Sequence, residues 1–196
     1  MPFRLSLSFR ALGVALTVGL ASANALAQQG RLELSAPDAV RPVLSRYLSV
    51  LTQDPPPDLG DDVERVAVTR RARREVADLL ATEGYFSPSV RLEEADIGFR
   101  LVVEPGRRAE ISSVGIEFSG AIADGAAASE KRMERVRRRW KLKEGEPFTQ
   151  SAWDESKQNV VDQLSRRDFA AARISASRAE VDPLAAKVRL AVTADS

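Results

Sequence analysis

The chain runs LLATEGYFSPSVRLEEADIGFRLVVEPG from Leu79 to Gly106, and the rest of the sequence is understood from this passage outward. Leu79 and Leu80 close an apolar stripe of helical period. Gly84 stands just past it, where a helix stop favours a residue that tolerates positive φ. Tyr85 and Phe86 follow the stop. Val90 and Leu92 then alternate with Ser89, Arg91 and Glu93, the period-2 pattern of a half-buried strand. Ala95-Asp96-Ile97-Gly98 supplies a turn, and Phe99, Leu101 and Val103 alternate again, so the passage reads as a helix end followed by a β-hairpin.

Upstream, Arg31–Ser35 reads as a short strand, and a helix is expected from Pro37-Asp38 to about Leu51, with Val40, Val43, Leu44, Tyr47, Leu48 and Leu51 inward. The prolines of Asp54–Asp58 end it. A second helix is expected from Asp62 to Glu83 on the stripe Val68, Ala72, Val76, Leu79 and Leu80, with Arg71–Glu75 and Arg74–Asp78 spaced for i,i+4 pairing. Downstream, Ala109–Ser119 alternates, but its parity slips between Ile111 and Val114, which predicts a bulge near Ser112-Ser113. Gly120–Ser129 lacks aliphatic periodicity and reads as a mobile loop. Glu130–Trp140 reads as a basic helix with Met133, Val136 and Trp140 inward. Ser151–Asp154 fits a capping box for a helix ending near Arg167, and the strands Ala172–Asp182 and Lys187–Thr193 close the chain.

The two halves repeat. Leu80, Tyr85 and Val90 recur as Leu164, Phe169 and Ile174, and Arg100–Val103 resembles Arg189–Val192. Each half reads β-α-α-β-β. The fold class is therefore α+β, in two tandem modules (28–106 and 107–196), each with two helices on a small three-stranded mixed sheet.

Residues 1–27 read as a cleaved export signal. Arg4 and Arg10, the only charges there, precede an apolar run from Ala11 to Leu20, and Ala25-Leu26-Ala27 is a cleavage site. The chain has 29 basic and 28 acidic side chains, and without Arg4 and Arg10 the formal balance falls from +1 to −1, which argues against bulk nucleic-acid binding. There is no cysteine and no histidine, so thiol chemistry is ruled out and the commonest general base and metal ligand are missing. No phosphate loop, nucleophile elbow or metal-ligand cluster appears. Glu93, Glu94 and Asp96, and Asp61, Asp62 and Glu64, lie in or near turns, where solvation keeps carboxylates ordinary, so no catalytic residue, cofactor or metal is assigned.

Arg31–Leu51, the segment from Leu79 to Val90 with Gly84-Tyr85-Phe86, the LVVEPG ending at Gly106, and Gly145-x-Pro147-Phe148 with Trp153 together resemble POTRA domains of the BamA/TamA outer-membrane assembly superfamily, most nearly the TamA branch. The resemblance implies a periplasmic, non-enzymatic scaffold for outer-membrane protein (autotransporter) assembly. Its partners would be unfolded outer-membrane clients and a TamB-like inner-membrane-anchored protein. A third POTRA domain and a barrel, which such proteins carry, do not occur within these residues. In that family the strand after the second helix is a sheet edge that receives an extended segment by β-augmentation. Here those strands are Ser87–Glu93 and Arg173–Glu180. The candidate contact residues are Ser87, Pro88, Ser89, Val90, Arg91, Leu92 and Glu93 on one, and Arg173, Ile174, Ser175, Ala176, Ser177 and Arg178 on the other. Arg91, Glu93, Arg173 and Arg178 read equally well as charges that protect those edges. Arg70, Arg71, Arg73 and Arg74, and Lys131, Arg132, Arg135, Arg138 and Arg139, form two basic surfaces. Each reads as a solvated face or as a dock for an acidic partner or anionic lipid. A different reading of the whole is a free secreted binder, such as an inhibitor of an envelope enzyme.

Overall fold

The structure, a computed structural model, describes residues 32–166 and 169–196. The expected export signal, Arg31, Arg167 and Asp168 lie outside the described residues. Two three-stranded mixed sheets follow one another along the chain, and the fold is α+β.

The first sheet has the order β1-β3-β2, from β1 (Leu32–Ser35), β2 (Ser89–Glu94) and β3 (Phe99–Glu104). β1 pairs parallel to β3, because the chain reaches it across the helices, while β2 and β3 form the antiparallel hairpin. Alternation sends Val90, Leu101 and Val103 into the core and Arg91, Arg100 and Glu104 to the wet face.

The helix expected over 38–51 is instead two pieces, α1 (Arg41–Tyr47) and α2 (Ser49–Thr52). Leu48 between them is extended, at φ −75° and ψ 113°. The cause is remote in sequence. Glu75, on helix α3 (Asp62–Thr82), accepts the Ser49 amide at 2.8 Å and its hydroxyl at 2.5 Å, capping α2 from outside. The break keeps Leu48 buried, brings Val50 inward and leaves Tyr47 58% exposed, against its expected inward place. Glu75 is therefore not paired with Arg71, which donates to Gln53 Oε1, and no ion pair joins Arg74 to Asp78. α3 itself follows the expected stripe: Val68, Ala72, Val76 and Leu80 are buried and Leu79 half-buried. Asp61 caps its start by accepting the Val63 amide.

α3 ends in a Schellman turn. The Tyr85 amide donates to Leu80 O, the Gly84 amide to Ala81 O, and Gly84 has φ +88°. Gly84 is constrained a second way: a Cβ there would stand 2.3 Å from Phe148 O, in the second half of the chain. Gly84 O accepts the Ala109 amide, and Ala109 O accepts that of Phe148. The two aromatics of the Gly-Tyr-Phe motif then part. Tyr85 packs on the first core, whereas Phe86 packs on the second, 5.9 Å from the Phe148 ring.

The second sheet has the order β4-β6-β5, from β4 (Glu110–Ser119), β5 (Arg173–Asp182) and β6 (Lys187–Asp195). The expected bulge is present: the β4–β6 register shifts between Ile111 and Ser113. Helices α4 (Ala127–Arg139) and α5 (Gln150–Ser165) cover one face over a core that includes Ile111, Trp140, Trp153, Leu164 and Val192.

Two local expectations fail here. Gly120–Ser129 is not a loop throughout: Gly120–Ala123 forms a 3₁₀ turn, and α4 begins at Ala127. Ile122 is fully buried, and the turn is tied to Ser196 through the Ala121 and Ile122 amides. The cap of α5 is Thr149 rather than Ser151, its hydroxyl accepting the Ala152 amide at 3.2 Å.

Candidate protein-binding edges

β2 and β5 each have one neighbour, as the sheet orders require of edges. Ser87 and Pro88 precede β2, which begins at Ser89, and so drop out of the candidate edge. Ser87 instead turns to the second half of the chain, its hydroxyl donating to Pro183 O at 3.3 Å.

Along an antiparallel ladder, pairs that exchange two hydrogen bonds alternate with pairs that exchange none. The Val90 carbonyl accepts Arg73 Nε at 3.1 Å. Val90 is therefore one of the residues whose backbone groups face away from β3, and by alternation Leu92 and Glu94 are others. Ser89, Arg91 and Glu93 use theirs within the ladder, opposite Glu104, Val102 and Arg100.

Beside this outward-facing backbone lies an open cavity of about 580 Å³. One face of α3 (Val66, Thr69, Arg70 and Arg73) forms one wall, and Leu92, Glu94 and Phe99 form the other. On the wet face, Arg91 bonds Glu104 and Glu93, and Ser89 bonds Glu104. The Arg91 hydrogen bond, then its charge, holds Glu104 below the usual carboxylate range, and the reciprocal bond to Glu104 raises the Arg91 pKa.

β5 is built differently. Its register shifts between Ile174 and Ala176, so Ser175 bulges, with its hydroxyl on Thr193 O. Arg173 pairs with Asp195, and Arg178 with Glu180, which also takes Arg189. Ile174 turns inward to the second core, while Ser175, Ala176, Ser177 and Arg178 are exposed. Bulges and charges are the devices that discourage pairing at an edge.

The basic residues do not form one surface. Arg70 and Arg73 belong to the β2 cavity, Arg71 is engaged with Gln53, and Arg74 is exposed. On α4, Arg132, Arg135 and Arg139 share a cleft of about 220 Å³ with Arg166 and Gln163. Arg132 also lies over the Phe169 ring, and Lys131 and Arg138 are exposed outside the cleft. Among the described residues no group of three or more acidic side chains could hold a metal, and no helix is long and apolar enough to cross a membrane.

Sequence reasoning missed a third feature. Val114 and Ile116 of β4 line an apolar cavity of about 430 Å³ with Trp140 and Leu142. The parity slip at Ser112 was its only trace in the sequence.

Residues 115–195 match the POTRA family, described as a surface antigen variable number repeat. The POTRA match begins at Gly115 within β4 and ends with β6, so it covers most of the second sheet and both of its helices. Among solved structures, the chain is similar to BamA POTRA3-5 of Haemophilus influenzae (15% identity, 84% of this chain and 64% of that one, TM-score 0.38). It is also similar to Haemophilus ducreyi BamA lacking POTRA domains 1-3 (15% identity, 86% and 29%, TM-score 0.39) and to POTRA1-2 of Anabaena Omp85 (13% identity, 83% and 90%, TM-score 0.39). The chain thus spans less than two thirds of the two BamA structures. No curated protein matches it.

Proposed function

We propose that the chain is a non-enzymatic periplasmic scaffold of outer-membrane protein assembly, built from two POTRA-like modules, 28–106 and 107–196, that receives extended client segments at a sheet edge. The family match over 115–195 and the sheet order repeated in the two halves, β1-β3-β2 and β4-β6-β5, support the scaffold reading. Of the two candidate edges, β2 carries the function and β5 is secondary. The observation that carries this choice is the cavity of about 580 Å³ running beside the outward-facing backbone of β2. An incoming strand would hydrogen-bond to Leu92 and Glu94 and lay alternate side chains against Val66, Leu92 and Phe99. Arg70 and Arg73 would meet acidic positions of the client. β5 lacks such support, since its residues are mostly exposed, bulged and ion-paired. On the TamA-like reading, the exposed arginines of α4, with Lys131, are the dock for an acidic, TamB-like partner or anionic lipid.

The test is binding of an extended β-rich outer-membrane peptide to Leu92→Pro, which removes an outward donor, and to Ser175→Pro as the β5 counterpart. Circular dichroism is the folding control. Loss of binding in Leu92→Pro alone supports the reading. Unchanged binding in a folded Leu92→Pro overturns it. Ser89→Pro is no substitute, because Ser89 bonds inward across the ladder and its loss would disturb the hairpin itself.

A further inference from the structure

The second sheet has another edge, β4, which the parallel with β2 does not bring to notice. Its beginning is already covered. The Ile111 amide donates to Glu146 O at 2.9 Å and Ile111 O accepts the Gly145 amide at 2.8 Å, so the Gly145–Phe148 segment lies antiparallel along the start of β4 through a single bridge. That cover stops at Ile111, where the bulge follows.

The bulge moves the outward phase by one residue. Before it, Ile111 faces out. After it, Ile116 does, since its carbonyl accepts Arg137 Nη2 at 3.3 Å. By alternation, the backbone groups of Val114, Ile116 and Phe118 all point to the open side. Among the described residues no other strand pairs there. Under this uncovered edge lies the cavity of Val114, Ile116, Trp140 and Leu142, and its rim carries two cations, Arg137 and Lys143, against one carboxylate, Glu144. Neither cation has an ion-pair partner among the described residues. Arg137 lies over the Phe118 ring, with its centre 5.1 Å away.

We propose that β4 from Val114 to Phe118 is a second peptide-receiving edge, whose occupant is an extended segment of a partner protein, apolar at alternate residues and carrying a carboxylate. It continues the lane that Gly145–Phe148 opens. Its N–H replaces the guanidinium at Ile116 O, and its carboxylate engages the released Arg137, with Lys143 beside it. Its alternate apolar side chains fill the cavity. Five residues of β4 span about 17 Å, enough for a short segment. This site does not depend on β2 receiving anything.

The probe is a blocked peptide of about nine residues alternating valine and threonine with one central aspartate. Its binding to the chain is followed by amide chemical shifts. The expected result is shifts at Val114, Ile116 and Phe118. The aspartate peptide should bind about three- to fivefold tighter than its lysine counterpart, with the preference reversed in Arg137→Glu. Lys143→Glu, which leaves Arg137 over the Phe118 ring, is the companion that reads charge without loosening the strand. Unmoved β4 amides at millimolar peptide would overturn the proposal. So would a preference indifferent to both charge reversals, or β4 amides that shift with protein concentration alone, which would make a second copy the occupant.

Discussion

The two halves of the chain share a sheet order but not a way of finishing themselves. The first sheet packs its own Tyr85 and leaves a cavity where its one long helix, α3, runs beside β2. The second sheet takes Phe86 from the first half and leaves a cavity where its first helix, α4, runs beside β4. The same sheet order thus leaves opposite edges supported. One extra residue at the β4 bulge, and one aromatic handed across the junction, account for much of the difference. A repeated topology therefore does not place a repeated site.

The largest expected effect tests the junction. Gly84 and Gly145 both have strongly positive φ, but a Cβ at Gly84 meets Phe148 O whereas one at Gly145 meets nothing within 4 Å. Gly145→Ala should cost about 1–2 kcal/mol of backbone strain. Gly84→Ala should cost at least about 2 kcal/mol and more as the neighbouring backbone is displaced. Chemical denaturation of both variants measures the gap, and equal losses would mean that the junction yields freely.

A medium effect tests where the aromatics belong. Phe86→Ala should lower stability by about 1–3 kcal/mol, below the loss for a fully buried phenylalanine. Hydrogen exchange should quicken at Ile111 and Val192 before Arg91 and Leu101, whose amides bond within the first sheet. Tyr85→Ala should give the opposite order. If both variants loosen both cores together, the chain folds as one cooperative unit and the contrast between its halves is only geometric.

The smallest effect compares two surface pairs, Glu104 with Arg91 and Glu110 with Lys187. In each the hydrogen bond, then the charge, of the basic partner holds the glutamate below its ordinary value. A carboxylate with a depressed folded pKa adds stability that is present above its unfolded pKa and is lost as pH falls through the folded one. Both contributions therefore fade on the acid side of the ordinary glutamate range and are slight, since the groups are exposed. Arg91→Gln should move the Glu104 midpoint upward in a carboxyl-detected NMR titration and leave that of Glu110 in place. Movement of both would mean a coupling between the sheets that the separate pairs do not suggest.

What the sequence determined by itself is whatever a few neighbouring residues encode. Alternation at Val90, Leu92, Phe99, Leu101 and Val103 placed the hairpin, the stripe from Val68 to Leu80 placed α3, and the parity slip at Ser112 placed the bulge. These signals are local because a strand or helix repeats within a few residues. The tertiary structure alone decided the rest. Glu75 breaks a helix more than twenty residues upstream by capping Ser49. Ser196 pins a turn that reads as a featureless loop, and Phe148 supplies the second reason for Gly84. Which edge keeps its backbone free, and which helix leaves a cavity beside it, depends on where separate elements come to rest. No window of sequence contains both partners of such a contact, so its physical cause exists only once the chain has folded.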